Sequence, residues 1–334
     1  MRRVIRHTGD PREPYDVLDL NDETHQYTEY AAQVPHPPDF TTANNILISR
    51  PCAIANASTV QTKRVALCVL AMHWYTNLFL LKEWLQLAIA PGHQFMLFIH
   101  AKNQAAVREA VQREQLPIDT EVLGEVETQW SSIGIVEASW LLFDSARRKG
   151  CKGAVLMSSD SSPIKNPNAF HKDVINQDGP VRGGFRKPRG YPFTVGEQWL
   201  SFNEEGLKLL GDHVTRDMLY SEVLLQHMEA IHQHGRTNSL EYENYLRTAH
   251  IQDKYEGLAP DEVFLQALLI PHLNHKGKQV ARSRISWMEY DEAGDHATTI
   301  SVDYLRRAPP TFLTARKIVT PEAYNQVRRM WTFV

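Results

Sequence analysis

The chain has 334 residues, 43% hydrophobic and 22% charged, a balance that describes a folded protein with length for one large α/β domain or two modest ones. A formal net charge of −3 gives no global pull toward nucleic acid, and Cys52, Cys68 and Cys151 are too few and scattered for a disulfide framework or a thiolate metal site. No early apolar run approaches the ~20 residues that cross a bilayer, and Met1-Arg2-Arg3 precedes no signal-peptide core, so no membrane span and a cytoplasmic location are expected.

Residues 1–61 read as an N-terminal extension, rich in Pro, Asp, Thr, His and Tyr, with one short apolar patch at Ile46-Leu47-Ile48. The main domain is expected over 62–334. Arg64 to Met72 is a continuous apolar run of strand length, Leu78 to Leu87 suits an amphipathic helix, and Phe95 to His100 is a second buried strand. Together they predict a right-handed βαβ unit that starts a parallel sheet. Asn103 to Gln115 reads as a helix and Glu121 to Val126 as a short strand. Ile133 to Arg148 is a longer helix with Ile133, Val136, Trp140 and Phe143 on one stripe, basic residues at its C-terminal end and Gly150 as its stop.

Gly153 to Asp160 is a buried strand entering a polar turn. Ligands of open α/β sheets gather at the carboxyl ends of strands, so His73, His100 and the Ser158 to Ser162 turn either share a crevice or are structural. Residues 179–193 predict an irregular basic loop whose Arg182, Arg186, Lys187 and Arg189 either meet an anion or are solvated. Residues 196–235 resume strand and helix, 236–258 form a polar insertion, and Arg284 to Trp287 is a candidate strand. Phe312-Leu313-Thr314 is strand-like, and an extended segment there would turn Arg316 and Lys317 to opposite sides.

Ala259 to Leu269 opens on Pro260-Asp261-Glu262, a proline and two acids suited to a first helical turn, with Val263, Phe264, Ala267 and Leu268 at helical spacing behind them. Glu262 is thus either a general base at a cleft edge or a partner of the helix dipole. His232 with His234, and His272 with His275, lack the partners of a recognised zinc spacing. There is no Asp-X-Asp, since Asp160 stands alone among serines; no Gly-X-Gly-X-X-Gly, no Walker loop and no Gly-X-Ser-X-Gly. Dehydrogenase, nucleotide hydrolase and esterase readings lose their main support. Arg306-Arg307 and Arg316-Lys317 are candidate diphosphate contacts or solvated faces, and Trp287 and Tyr290 either stack on a sugar or fill core.

Taken in order, Arg64 to Met72, Phe98 to Lys102, Trp130 through Lys165, Gly196 to Ser201, Pro260 to Phe264, Trp287 and Thr314 to Lys317 resemble the core-2/I-branching family of glycosyltransferases. The resemblance covers about residues 62–320. It implies a GT-A-like α/β domain with a mostly parallel central sheet flanked by helices, and an inverting transfer from a UDP-sugar without a metal or other cofactor. It implies Glu262 as the base, His73, His100, Arg316 and Lys317 on the donor, and Asp160, Glu197, Trp199, Trp287 and Tyr290 on the acceptor side. Partners would be a nucleotide-sugar donor and a saccharide or glycoconjugate acceptor. The family's acid after the second-strand histidine is Ala101 here, and its paired cysteines and anchor are absent, which points to a cytosolic bacterial, viral or phage-like enzyme, in the host cytoplasm if viral. Two rivals are transfer to a hydroxymethylated DNA base, supported by the 182–189 loop and Arg328-Arg329, and a catalytically silent sugar-nucleotide-binding protein.

Overall fold

The computed structural model describes residues 3–5, 17–19, 63–71, 75–124, 126–128, 133–185, 196–215, 219, 265, 269, 284–290 and 297–332. Strands β1 (Arg3–Ile5) and β2 (Val17–Asp19) pair antiparallel. The described chain then runs through β3 (Val65–Ala71), α1 (Leu78–Gln86), the single turn α2 (Pro91–Gln94), β4 (Phe95–Ala101), α3 (Gln104–Glu114) and β5 (Thr120–Leu123). It continues with α4 (Ile133–Arg148), β6 (Gly153–Ser158), β7 (Ser162–Pro163), α5 (Pro167–Ile175), β8 (Val181–Arg182), β9 (Ser201–Asn203) and α6 (Glu204–His213). After residue 284 come β10 (Ser286–Met288), α7 (Val302–Arg306), β11 (Thr314–Arg316) and α8 (Pro321–Thr332).

The fold is mixed α/β with a mostly parallel central sheet flanked by helices. Six strands lie in the order β5-β4-β3-β6-β9-β8; the first four are parallel, β9 runs against them, and β8, antiparallel to β9, runs with them again. β4 is buried along its whole length and β3 at all but Leu70, as apolar strands covered on both faces must be. Helix α4 packs on β3, β4 and β6, and α5 on β3, β6 and β9. Val136 and Phe143 of α4 are fully buried, and Trp140 donates from its indole to the Val214 carbonyl at 3.0 Å. The helix stops as its sequence predicts. Gly150 takes φ +72°, and the amides of Cys151 and Gly150 close on the carbonyls of Ala146 and Arg147, both at 3.0 Å, a Schellman cap.

Asparagines open three helices: Asn103, Asn166 and Asn203 accept from the amides of Ala106, Asn168 and Gly206. A second, three-stranded sheet has the order β10-β11-β7, with β10 parallel and β7 antiparallel to β11. Two expectations shift. The third strand covers Thr120–Leu123 rather than running on to Val126. Within the expected basic loop, Val181–Arg182 is a buried strand that pairs with β9. Among the described residues, no helix is long and apolar enough to cross a membrane.

Candidate functional site

From β3 the chain steps outward to β4 and β5, then returns to lay β6 on the other side of β3. The carboxyl ends of β3 and β6 therefore flank the point where strand order reverses, the place where open α/β sheets leave a crevice. The turn after β6 is anchored there. Ser159 donates its amide to Leu70 O at 3.0 Å, and Asn77 donates its amide to Ser159 O at 3.0 Å and its side-chain Nδ2 to Ser161 O at 3.3 Å. Asn77 is 1% exposed and sits at the N-cap of α1 without capping it, because its side chain serves the turn instead. Within the turn the hydroxyls of Ser158 and Ser161 lie 2.6 Å apart, and Ser158 Oγ donates to Asp160 Oδ1.

The same turn leads directly into β7, whose Ser162 lies opposite Ala315 of β11. That pairing brings the end of β11 against Asp160. Arg316 Nε stands 3.7 Å from Asp160 Oδ1, and its guanidinium carbon lies 4.6 Å from the centroid of the Trp199 ring. On the far side of Lys317, Ile318 donates its amide to Asp160 O at 3.0 Å, while Lys317 O accepts from the Ile300 amide at 3.0 Å. Burial pulls the Lys317 amine below its ordinary range, Arg316 adds to that, and the Asp160 carboxylate opposes it. Lys317 is thus within electrostatic reach of both Arg316 and Asp160.

A second ion pair stands beside this cluster. Arg284 Nε lies 2.7 Å from Glu197 Oε1, with Glu197 7% exposed two residues before Trp199. Gly184 makes room for it: a Cβ there would come within 2.9 Å of Glu197 Cδ and 3.1 Å of Arg284 Cγ. Arg182 is buried, and it donates to the carbonyls of Thr311 and, at 3.5 Å, Arg284. It is therefore a structural arginine and not the anion-meeting loop residue that the local composition suggests.

No family model matches the chain, and no curated protein does so significantly. Among solved structures it is similar to mannose-1-phosphate geranyltransferase from Thermus thermophilus, at 13% identity over 61% of this chain and 72% of that one, with a TM-score of 0.30. It is similar to residues 1–349 of S. aureus TarS in complex with UDP-GlcNAc, at 16% identity and a TM-score of 0.27, over 39% of this chain and 37% of that one. Mouse xyloside xylosyltransferase 1, apo form, gives 11% identity and a TM-score of 0.33 over 62% of this chain and 82% of that one. At these identities and scores the likenesses bear on neither substrate nor residue roles.

The structure brings Asp160, Glu197, Trp199, Arg316 and Lys317 to one region, and places the remaining expected site residues elsewhere or not at all. Glu262 and His73 lie outside the described residues, as do Arg186, Lys187 and Arg189 and the His232, His234, His272 and His275 pairs. His100 is on β4 and 1% exposed; burial lowers its pKa, opposed by a hydrogen bond to the Val126 backbone and by the charge of Glu137. Trp287 stacks on Tyr304 at 4.7 Å, meets Phe312 edge-on at 4.9 Å and donates to Tyr304 O at 3.1 Å, so aromatic packing occupies one of its faces. Tyr290 bridges to Ala297 and packs half-buried on the core.

Arg306, the last residue of short helix α7, pairs with Asp303, and Arg307, its C-cap, lies over the Tyr304 ring. Arg328 forms a two-pronged pair with Glu83, at 2.6 and 2.8 Å, which ties α8 to α1. Among the described residues no group of histidine, cysteine, aspartate and glutamate is placed to hold a metal ion. A shallow depression lined by Asn203, Glu204, Glu205, Lys208 and Asp212 shares no residue with the Asp160 cluster. Sequence reasoning missed Asn77, Arg284 and Gly184. Asn77 reads as an ordinary helix cap, and the other two act only through partners distant in the chain.

Proposed function

We propose that the chain is an inverting, metal-independent glycosyltransferase that moves a sugar from a UDP-linked donor to a hydroxyl of a saccharide or glycoconjugate acceptor. What supports this reading is the Arg316-Lys317 pair, half-buried beside Asp160 where strand order reverses. Fixed cations in a partly desolvated place are suited to a departing diphosphate. The only carboxylate of the 158–162 turn pairs with Arg316, so the cationic side chains take the role a divalent ion would have. Glu262 is assigned from the sequence as the base that removes the acceptor hydroxyl proton. The acceptor oxygen then attacks the anomeric carbon as the bond to the diphosphate oxygen breaks, and charge collects on the phosphate facing Lys317.

Calorimetry with UDP tests the binding half. The wild type should bind UDP, and Lys317→Ala should weaken that binding by about tenfold or more, the scale of a charge-assisted hydrogen bond, with the ligand-free melting temperature unchanged. Unchanged UDP binding in that variant would place the diphosphate elsewhere. Turnover, measured in EDTA with the nucleotide sugar that most raises the melting temperature, tests the chemistry. It should persist in the wild type and fall by about 10²-fold or more in Glu262→Gln. Nucleotide-sugar binding without turnover would indicate a silent binding protein. Loss in EDTA with recovery on Mn²⁺ would show that carboxylates hold a cation.

A further inference from the structure

We propose that Asp160 is a positioning residue: it grips the chain on both sides of Lys317 and thereby sets where that ammonium meets the donor diphosphate. The inference rests on the reading of Lys317 as the diphosphate cation. Its observations are geometric. One residue, Asp160, uses its carboxylate on Arg316 at 3.7 Å and its carbonyl on the Ile318 amide at 3.0 Å, and Lys317 lies between those two contacts. The carboxylate end is an ion pair without a hydrogen bond, and the groups on either side of it are held in place. Ser158 Oγ donates to the carboxylate, the backbone of the turn is held by Leu70 and Asn77, and the Arg316 guanidinium lies on Trp199, itself 5% exposed.

The placement carries an apparent cost. A carboxylate beside a diphosphate site repels the ligand, so an aspartate with no other task should weaken nucleotide binding. Asp160 offsets this by ordering Arg316 and by holding charge on Lys317, whose amine burial and Arg316 both push toward the neutral form. The two views therefore predict opposite signs. If Asp160 is only a nearby anion, Asp160→Asn, which keeps shape and removes charge, tightens UDP. If it positions Lys317, the same change loosens UDP.

The test is UDP calorimetry on the wild type, Asp160→Asn, Arg316→Gln and the double variant, each checked for an intact melting transition. Asp160→Asn should weaken UDP by about tenfold, within the range for groups sharing one charge network, and should weaken it much less once Arg316 is glutamine, because the grip acts through Arg316. Affinity that rises or stays level in Asp160→Asn, or losses that simply add, would overturn the proposal. So would an increase in acceptor KM with UDP binding unchanged, which would assign Asp160 to the acceptor. A second measurement does not need UDP: the pH dependence of Lys317 acylation, followed by mass spectrometry, should move to lower pH in Asp160→Asn. Wild-type protein that fails to bind UDP would refute the proposed function, whereas an acylation profile that does not move in Asp160→Asn would by itself overturn the action of Asp160 on Lys317.

Discussion

His100 shows how a single buried side chain couples the fold to pH. Its ring is enclosed on β4, with the Val126 backbone and the Glu137 carboxylate as its polar surroundings, and burial holds its pKa below 6.5. Between that lowered value and 6.5 the unfolded histidine carries a proton and the folded one does not. Acid therefore favours the unfolded chain in this window, and the stabilisation is fully present only above 6.5. We expect urea midpoints to fall as pH drops from about 7.5 to 5.5, and His100→Gln to flatten part of that slope. Equal slopes in wild type and variant would mean that another group sets the dependence. The two thiols among the described residues are silent by the same physics. Burial raises Cys68 well above its ordinary value and Cys151 to about 11, as expected of structural cysteines in a core.

Elements whose signal is local are legible in the sequence alone. The β3 and β4 runs are apolar without interruption, and the α4 stripe, basic end and Gly150 stop each state one helix boundary. Short strands are not legible in this way. Val181–Arg182 follows glycine and proline and precedes two further glycines, a turn-like composition, and becomes a strand only because Ser201 and Phe202 lie alongside it. The site divides along the same line. Arg316 and Lys317 are visible as adjacent cations, but their link to Asp160 depends on β11 pairing with β7, a contact between segments far apart in the chain. Asn77 is hidden for a different reason. A cap residue before a helix has an adequate local explanation, so nothing in the sequence hints that its side-chain amide reaches Ser161.

At the scale of the molecule, the charge cluster depends on how two sheets are joined. One joint is covalent: the Ser158 to Ser162 turn leaves the six-stranded sheet at β6 and enters the smaller one at β7. The other is Arg182, which reaches from the edge strand β8 to the carbonyls of Arg284 and Thr311, just ahead of β10 and β11. Burial lowers the Arg182 pKa, with Asp173 and Asp178 opposing, so this guanidinium is held charged in a desolvated place by its partners. Arg182→Met keeps much of the apolar stem and removes every donor, so the part-buried bonds to the carbonyls of Thr311 and Arg284 are lost. A loss of about 2 to 4 kcal/mol is expected from urea melts. Arg182→Lys should recover part of the loss, because both carbonyls take their hydrogen bonds from one nitrogen, Nη2, and an ammonium nitrogen carries three donors. Because β11 carries Arg316, the Met variant should also bind UDP more weakly even where it remains fully folded. An unchanged urea midpoint with unchanged UDP affinity would show that Arg182 does not hold the smaller sheet in place.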